Sequence, residues 1–494
     1  MILRDQNPVQ LGNRRELFWD DFMVEEATAV LKQHHPEARN IAMTCDSPWE
    51  GSSCGYPVVF RDGDIIRFYY HAGRFILHED TDVHAAPVVV CYAESRDGGR
   101  TFIKPDLGIY YYHGNTHNNI ILMRGGYTRA IDNFAVFKDA NPDCPPDELY
   151  KAIAYNGRIP GTNDEILCYY KSPDGIHFSP GGELVTGGWF DSLNCCFWDK
   201  HTGQYFLYMR DWPEGYTRRR GQNMGTKMRG IRYCTSPDFK NWSPYKPLDF
   251  GAVEPIELYT NTIKPYERAD HVFLGMPSRY YERNEWVPNY DFMPGADHRR
   301  YRCRSHIRYG TVLTDCILVT SRDGVHFNRQ EEAFLTPGIE RTGNWVYGDC
   351  YPTWGLIETT SDYPDHAPDE LSFYCLDYHW IKNQTLRRYS IRKDGFLSYH
   401  ADFQPASLLT RAFTFAGSKL SINFATSAIG SIRITLLDAQ GNPLPGYASC
   451  ELFGDSLDRP VVFAGGTDVS ALAGQVVRMR LEMRDADIFS FKFD

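Results

Sequence analysis

Acidic residues precede the apolar, strand-like segments of this 494-residue chain at five places. They are Glu50, Asp132, Asp191, Glu254 together with Glu257, and Asp349. Carboxyl groups that face one another in a pocket push their pKa values apart, so that one stays protonated while another stays ionised. Acid–base cleavage of a glycosidic bond uses such a pair. If the five segments lie side by side in one body, these acids converge on one site.

Aromatic and amide side chains are concentrated around the same five places. They include Trp49, Tyr56, Asn133, Trp189, Asn194, Tyr259, Asn261, Trp345, Tyr351 and Trp354. A sugar ring is apolar on its faces and rich in hydroxyl groups at its rim, so flat rings beside amides suit it. The same rings would also suit an aromatic core, and both interpretations stay open. Arg210, Asp211 and Arg279 end neighbouring strands, either as structural ion pairs or as substrate contacts.

A recurring turn motif defines the elements that would carry these residues. Its copies begin at Ser95, Ser172, Ser236 and Ser321, with a looser copy at Lys393. Each copy follows an alternating apolar run, which predicts a strand, a tight turn and a short strand that carries an aromatic residue. The aromatic residues lie at 102, 178, 242 and 327, a spacing that fits one four-stranded blade per copy. The sequence therefore predicts an all-β fold with a five-bladed β-propeller.

The chain after residue 403 has a different pattern. Short alternating strands continue there, but the turn motif does not, which is typical of a separate β-sandwich of about 90 residues. We therefore divide the chain into a propeller over 1–403 and a β-sandwich over 404–494. A propeller must join its first and last blades, and we expect an N-terminal strand around Leu17 to Phe22 to take part in this closure.

Composition argues against several classes of function. The net charge of −11 does not suit a nucleic-acid surface, which needs clustered Lys and Arg. The basic cluster Arg218 to Arg220, with Arg229 and Arg232 nearby, is either a solvated loop or a contact for an anionic substrate group. The sequence lacks a signal-peptide core and a membrane-spanning apolar run, so a soluble, cytoplasmic protein is expected. Thirteen scattered cysteines predict buried thiols rather than a metal site.

These features resemble the five-bladed propeller glycoside hydrolases of families 32, 43 and their relatives. The resemblance rests on the recurring turns between residues 95 and 327 and, for family 32, on the trailing β-sandwich. It implies an acid from the first blade as nucleophile or base, an aspartate from the second as stabiliser and a glutamate from the third as proton donor. Asp132 matches the second position. The first blade offers Glu50 or the earlier Asp20 and Asp21, and Asp191 stands where a glutamate is expected.

The sequence Trp-Met-Asn-Asp-Pro-Asn-Gly, which marks invertases, is absent, so hydrolysis of sucrose or fructan is not supported. We expect an exo-acting glycoside hydrolase that binds an oligosaccharide, uses no cofactor or metal, and has its pocket closed by the insert at 281–310. Asp132 and Asp191 would be base or stabiliser, and Glu257 the general acid. The expected substrate contacts are Trp49, Glu50, Asn133, Asn194, Arg210, Asp211, Tyr259, Asn261, Arg279, Trp345, Asp349 and Trp354.

Other classes of function stay open. A non-catalytic propeller that binds carbohydrate or protein would have solvated and dispensable acids. A sialidase-like enzyme would need three arginines, a Tyr/Glu nucleophile pair and six blades; Ser95 to Phe102 fits the Asp-box turn of that class. A metal-assisted enzyme would add His113, His117 or His306 as ligands. The sequence also leaves open the sugar, the linkage, the stereochemical outcome and homo-oligomerisation.

Overall fold

The computed structural model describes residues 8–77, 84–85, 88–123, 131–159, 161–162, 164–212, 228–283, 285–363 and 368–494. The predicted all-β fold is confirmed: five four-stranded sheets form the β-propeller, and a further sheet forms the β-sandwich. The basic cluster Arg218 to Arg220 and the side chain of Asp132 lie outside the described residues.

Each blade is an antiparallel sheet of four strands, and in blades one to four the first strand along the chain is the innermost. Blade one contains Gly55–Asp62, Ile65–Ala72, Val89–Ser95 and Ile120–Met123. Blade two contains Asp132–Lys138, Tyr150–Arg158, Glu165–Ser172 and Ser179–Thr186. Blade three contains Cys195–Asp199, Gln204–Asp211, Gly230–Ser236 and Lys246–Pro247. Blade four contains Lys264–Tyr266, Ala269–Gly275, Val319–Ser321 and Phe327–Arg329.

The N-terminal part of the chain closes the ring in blade five. This blade contains Ile357–Thr359, Glu370–Asp377 and Gln384–Ile391, and its outermost strand is Glu37–Cys45. Gln384 lies opposite Cys45 in an antiparallel register. An N-terminal strand therefore joins the last blade to the first, as expected. Glu16–Leu17, where the closing strand was expected to begin, pairs instead with the sandwich.

The recurring turn motif has one hydrogen-bond pattern. Ser172 Oγ accepts from the Gly175 N–H at 2.9 Å, and Asp174 Oδ1 accepts from the N–H groups of Ile176 and His177 at 2.9 Å. The carboxylates at 97, 238 and 323 accept in the same way. Because the aspartate satisfies backbone donors that a strand pairing would otherwise use, it fixes the turn after the third strand of each blade.

A tyrosine of one blade contacts the turn of the next. The hydroxyl groups of Tyr69, Tyr208 and Tyr374 donate to the carbonyl oxygens of Gly175, Gly324 and Gly99 at 2.9, 2.7 and 2.5 Å. All three glycines have positive φ, and a Cβ added at any of them would lie 2.6–2.9 Å from the tyrosine hydroxyl. Glycine is therefore required there both by the backbone conformation and by the close approach of the ring.

The β-sandwich includes strands from both ends of the chain. Its strands are Val9–Gly12, Glu16–Leu17, Val24–Ala27, Val30–Gln33, Leu397–Ala401, Ala406–Thr410, Phe413–Phe415, Leu420–Leu437, Pro443–Ala448, Asp455–Pro460 and Arg478–Phe493. The two long strands Leu420–Leu437 and Arg478–Phe493 pair with each other and carry much of the apolar core. The domain boundary at residue 403 stays a prediction; the pairing adds residues 9–33 to the same sheets.

Buried polar groups connect the sandwich to the propeller. Arg322, from the turn of blade four, donates to both carboxylate oxygens of Asp20 at 2.9 Å and also binds Glu16. Burial alone would raise the pKa of Glu16, but Arg322 and His271 outweigh burial and hold that pKa well below its usual range. Asp394, in the looser copy of the motif, accepts from Tyr266 at 2.7 Å, from Arg268 at 2.8 Å and from Ser490 at 2.9 Å. It serves as an anchor between domains.

Blade four carries the long insert. Ser278–Tyr281 pairs with Leu313–Cys316, and the chain between them forms the helices Asn289–Phe292, Ala296–Cys303 and Ile307–Thr311. The remaining elements are the strand pair Phe75–Ile76 with His84–Ala85 and the 3-10 turns Pro146–Glu148 and Ser470–Leu472. Among the residues described, no helix has both the length and the apolar character needed to cross a membrane.

Candidate active site

Tyrosines from three blades meet at the end of the channel where the inner strands begin. Tyr347 and Tyr56 donate through their hydroxyl groups to the Tyr259 hydroxyl oxygen at 2.7 and 3.4 Å. The rings of Tyr351 and Tyr280 stack on that of Tyr259, with centroids 5.3 and 5.7 Å away. We call these five residues the tyrosine cluster. It offers flat apolar faces and hydroxyl groups together, which is the combination that sugar rings need.

Two arginines of blade three lie against the cluster. Arg210 ends the second strand of that blade, and its Nη2 donates to the Tyr259 carbonyl oxygen at 3.0 Å. Its guanidinium carbon lies 4.7 Å from the centroid of the Tyr259 ring. Arg229 precedes the third strand and lies 4.2 Å from the centroid of the Tyr280 ring. Because successive strands of a blade are antiparallel, both positions fall at the same end of the channel.

Glu257 is ion-paired with Arg229. Arg229 Nη1 donates to Glu257 Oε2 at 2.7 Å, and the Arg229 backbone N–H approaches the same oxygen at 3.3 Å. Both residues are buried. Glu257 Oε2 is the acceptor in both contacts, beside the positive charge of the guanidinium group. Glu257 therefore suits the role of a base, a nucleophile or a stabiliser of positive charge better than that of the proton donor expected from the sequence.

The helical insert supplies another wall of the site. Arg308 Nη2 contacts the Tyr309 hydroxyl at 3.0 Å, and the Tyr309 ring stacks on Tyr347 with centroids 6.2 Å apart. Burial lowers the pKa of Arg308, but the hydroxyl groups of Tyr309 and Tyr280 outweigh burial and raise that pKa above its usual range. The side chains of the insert thus reach the tyrosine cluster, which is the contact that a pocket-closing segment requires.

Asp349 is an acid whose environment favours the protonated form. It precedes the inner strand of blade five and accepts from the Val346 N–H at 2.9 Å. Burial raises the pKa of its carboxyl group to about 7; the Val346 N–H and Arg302 oppose this rise, and the charge of Asp377 adds to it. A carboxyl group with this pKa holds a proton at neutral pH and can give it up during a reaction.

Glu165 was not singled out from the sequence. It begins the third strand of blade two, at the same end of the channel, and accepts from the Phe190 N–H at 2.5 Å. Burial raises its pKa, and the charge of Asp191 adds to this effect. Asp191 therefore has an acidic neighbour, as expected, although the neighbour comes from the third strand of the preceding blade. The position of Glu165 at the start of a strand was its only signal in the sequence.

Three of the expected contacts form hydrogen bonds to the backbone: Asn194 within blade three, and Asn261 and Trp354 between neighbouring blades. Asn194 Oδ1 accepts from the Arg210 backbone N–H at 3.3 Å. Asn261 Nδ2 donates to the Leu193 carbonyl at 2.9 Å, and Trp354 Nε1 donates to a backbone carbonyl of the same region at 3.2 Å. All three side chains are buried. These side chains therefore support the backbone around the site and do not line it.

The side chains of Trp49 and Glu50 form hydrogen bonds within blade one. Trp49 Nε1 donates to Asn119 Oδ1 at 2.7 Å. Glu50 is buried and accepts from the Tyr70 hydroxyl at 2.5 Å and from Lys104 Nζ at 2.9 Å. These bonds join the first, second and fourth strands of the blade. They fit a structural role better than substrate binding.

Four further candidates have the following positions. Arg279 pairs with Asp315 across two strands at 2.8 Å, so that it is the structural ion pair of the two alternatives considered. Trp345 Nε1 donates to the Gly338 carbonyl at 2.7 Å. Asp211 accepts from the backbone N–H that follows it at 2.8 Å. Asn133 is buried with a φ of 62° at the start of the inner strand of blade two.

The histidines considered as metal ligands have separate surroundings. His117 Nδ1 lies 2.5 Å from Asp106 Oδ2, His113 packs edge-on against Tyr112, and His306 caps the helix Ile307–Thr311. Within the described part of the chain, no three or more His, Cys, Asp or Glu side chains form a group that could hold a metal ion.

The opposite end of the channel contains a cavity of about 380 Å³. It is lined by the far ends of the inner strands, including Val58, Phe137, Trp198, Lys264 and Trp354. Trp354 thus lies deep in the channel, between this cavity and the end where the tyrosine cluster is found. The candidate acids do not line this cavity.

No family model and no curated protein matches this chain. Its structure is similar to that of a glycosyl hydrolase from Bacteroides ovatus, with 12% identity over 78% of this chain and 94% of that chain and a TM-score of 0.35. The α-L-arabinofuranosidase of Fusarium graminearum gives 10% identity, 74% and 99% coverage and a TM-score of 0.39. The structure is also similar to that of an N-acetylgalactosamine deacetylase from F. plautii, with 11% identity over 76% of this chain and 94% of that chain and a TM-score of 0.39. The assignment of a function therefore depends on the residues of the site.

Proposed function

We propose that the chain is a glycoside hydrolase whose active site is the tyrosine cluster and the acids around it. The observation that carries this proposal is the stack of Tyr259 on Tyr351. Each ring follows an acid by two residues, Glu257 and Asp349, so that equivalent segments of blades four and five meet at one place. Glu257 pairs with an arginine, whereas burial raises the pKa of Asp349 to about 7. Acid–base cleavage of a glycosidic bond uses two carboxyl groups in such different environments.

The roles follow from these environments. Asp349, with its pKa of about 7, would donate a proton to the leaving oxygen. Glu257, which accepts a hydrogen bond from Arg229 at 2.7 Å, would stabilise the positive charge that develops on the sugar, activate water or attack the anomeric carbon. Asp191 and Glu165 form a second acidic pair at the same end of the channel. Asp132 begins an inner strand there and keeps its proposed role as base or stabiliser.

An exo-acting mode is part of the proposal. A hydrolase that acts at chain ends needs a closed pocket, whereas one that acts within chains needs an open groove. Tyr309 packs on Tyr347 and lies 5.1 Å from the centroid of the Trp380 ring. Because the insert contacts the tyrosine cluster in this way, we expect it to close one side of the pocket.

Hydrolysis of a panel of aryl glycosides and defined oligosaccharides tests the proposal. We expect Glu257→Gln and Asp349→Asn each to lower kcat by about a hundredfold or more, as for lost acid–base groups. Asp191→Asn tests the second pair. Asp315→Asn is the matched control, because Asp315 pairs with Arg279 outside the cluster and should leave kcat unchanged. Absence of hydrolysis by the folded wild-type protein would favour a non-catalytic carbohydrate-binding propeller.

A further inference from the structure

We infer that the sugar bound at this site carries a negative charge, as a carboxylate or a sulfate ester, and that Arg210 and Arg308 bind this charge. The inference rests on the proposed function, because it takes the tyrosine cluster as the place where the sugar binds. It names the substrate class that the hydrolase proposal leaves open.

Among the described residues, Arg210 is a buried cation with no acidic partner. Arg210 is only 5% exposed. Its Nη2 donates to an uncharged acceptor, the Tyr259 carbonyl oxygen, at 3.0 Å. Its remaining neighbours in the described structure are aromatic rings, those of Tyr259 and Trp212, and its Nε has no hydrogen-bond partner there. A buried charge without a counter-charge is strongly destabilising. A bound anion would relieve this cost.

Arg308 stands on another wall of the same cluster, and it too has no acidic partner among the described residues. It belongs to the helix Ile307–Thr311 of the insert, whereas Arg210 belongs to blade three. Its contacts in the described structure are tyrosines, with Tyr309 at 3.0 Å, and its Nε also lacks a partner. Tyrosine hydroxyl groups are neutral at physiological pH, so they leave this charge uncompensated. Two cations that have no acidic partner within the described part of the chain therefore border the cluster on two sides.

Three guanidinium groups, those of Arg210, Arg229 and Arg308, border the cluster. Of the three, only Arg229 forms an ion pair among the described residues, with Glu257 at 2.7 Å. The carboxylate of Glu282 lies 3.5 Å from the Tyr280 hydroxyl. The whole chain carries a net charge of −11. A concentration of positive charge at one pocket of an acidic protein attracts anions to that pocket and away from the rest of the surface.

The geometry of the arginine side chain also indicates which chemical groups of a ligand it can bind. Its planar guanidinium group donates two parallel hydrogen bonds to the oxygens of a carboxylate or a sulfate, whereas a single hydroxyl group of a neutral sugar uses only one of them. A neutral sugar would displace water from both arginines without supplying a charge. An acidic sugar would bind the arginines through its anionic group and stack its ring on the tyrosines.

Calorimetric titration with free monosaccharides tests the inference without requiring hydrolysis. The probes are galacturonic acid and glucuronic acid, the neutral sugars galactose and glucose, galactose 6-sulfate, and sodium sulfate as a control for simple anion binding. We expect the acidic sugars to bind at least about tenfold more tightly than their neutral counterparts, as for hydrogen bonds to charged groups. The comparison of galacturonic acid with galactose 6-sulfate distinguishes carboxylate from sulfate recognition.

Matched variants assign the effect to the two arginines. Arg210→Gln and Arg308→Gln should each weaken binding of the preferred acidic sugar by about ten- to a hundredfold, and by more than they weaken binding of the neutral sugars. Arg210→Lys keeps the charge at the buried position and should lose less, which guards against a folding defect in Arg210→Gln. Arg300→Gln is the control, because Arg300 lies in the same insert but is exposed and paired with Asp297 at 3.4 Å.

The outcomes separate this inference from the hydrolase proposal. Equal affinity for acidic and neutral sugars, or unchanged affinity in both arginine variants, overturns the inference. Hydrolysis of neutral glycosides that tolerates both variants also overturns it and leaves the hydrolase proposal intact. Arginine-dependent binding of acidic sugars without any hydrolysis upholds the inference and contradicts the hydrolase proposal.

Discussion

The rings of Tyr259 and Tyr351 stack with their centroids 5.3 Å apart and their planes inclined by 26°. The stack brings together two segments that are distant in sequence, and each segment carries an acid two residues before its tyrosine. One acid, Glu257, is neutralised by a buried arginine, and the other, Asp349, is buried so that its pKa rises to about 7. The geometry of one aromatic pair therefore links the proposed base or nucleophile to the proposed acid.

Removal of the hydroxyl group of Tyr347 should affect activity more than stability. Tyr347 donates to the Tyr259 hydroxyl oxygen at 2.7 Å, and Tyr347→Phe leaves that oxygen without its shorter hydrogen bond. One such bond is worth about 1 kcal/mol, so we expect kcat/KM to fall about fivefold. Tyr208→Phe is the control: it removes the bond to the Gly324 carbonyl between blades and should lower the unfolding temperature without changing kcat/KM. The opposite pattern would place Tyr347 outside the site.

Asp349 should make stability depend on pH. Its pKa is about 7 in the folded protein and 3.8 for an unperturbed aspartate, so the folded state binds more protons between these values. The stabilisation that protonated Asp349 provides is therefore complete below pH 3.8 and is lost as pH rises to 7, by up to about 4 kcal/mol. Urea unfolding of wild type and Asp349→Asn from pH 4 to 8 measures this. The difference between them should change in favour of the variant as pH rises; a constant difference would contradict the assigned pKa.

The turn glycines should tolerate substitution only where no neighbouring blade approaches. Gly324 has a φ of 74°, and a Cβ there would lie 2.7 Å from the Tyr208 hydroxyl, whereas Gly63 has a φ of 61° with open space around it. We expect Gly63→Ala to cost about 1 kcal/mol from backbone strain alone. Gly324→Ala adds a clash and should cost about 2 to 4 kcal/mol. Thermal unfolding of the two variants compares them directly, and equal losses would argue against a blade-to-blade role for the turn.

The arginine that follows the serine of the turn motif should contribute to stability in blade four but not in blade one. Arg322 of blade four binds buried Glu16 and Asp20, whereas Arg96 of blade one is exposed and pairs with Glu94 at 2.8 Å. Arg322→Met leaves two buried carboxylates without their partner and should cost about 3 to 5 kcal/mol. Arg96→Met should change stability by less than about 1 kcal/mol. Denaturant unfolding of both variants tests this, and a small effect of Arg322→Met would mean that the sandwich is held by its other contacts.

The propeller could be predicted because each blade repeats a local signal. Ser172 to Gly175 and its copies form turns through hydrogen bonds among residues that are close in sequence, so that the motif alone specifies them. A closing N-terminal strand was expected, but its position at Glu37–Cys45 and the sandwich strands before residue 34 could not be predicted. Their partners lie more than 300 residues away, at Gln384–Ile391 and within 397–493, and periodicity carries no information about such pairing.

The candidate site was predicted in part. Tyr259, Arg210 and Asp349 stand before or after predicted strands; Arg210 contacts Tyr259, and Asp349 stands two residues before Tyr351, which stacks on Tyr259. Glu50 satisfied the same rule, yet its carboxylate is used by Tyr70 and Lys104, because position at a strand end does not determine which way a side chain turns. Arg308 lies in a 30-residue insert whose docking depends on tertiary packing of tyrosines, so that no spacing in the sequence could reveal its role.

The dependence of activity on the leaving group tests the central claim most directly. Aryl glycosides whose phenols have low pKa values leave without protonation, whereas those with high pKa values need a proton donor. We predict that Asp349→Asn loses at least about a hundredfold in kcat on poor leaving groups and little on a dinitrophenyl glycoside. Glu257→Gln should lose comparably on both. If both variants retain wild-type kcat on every substrate, or if loss in Asp349→Asn does not depend on the leaving group, the proposed pair does not cleave the bond.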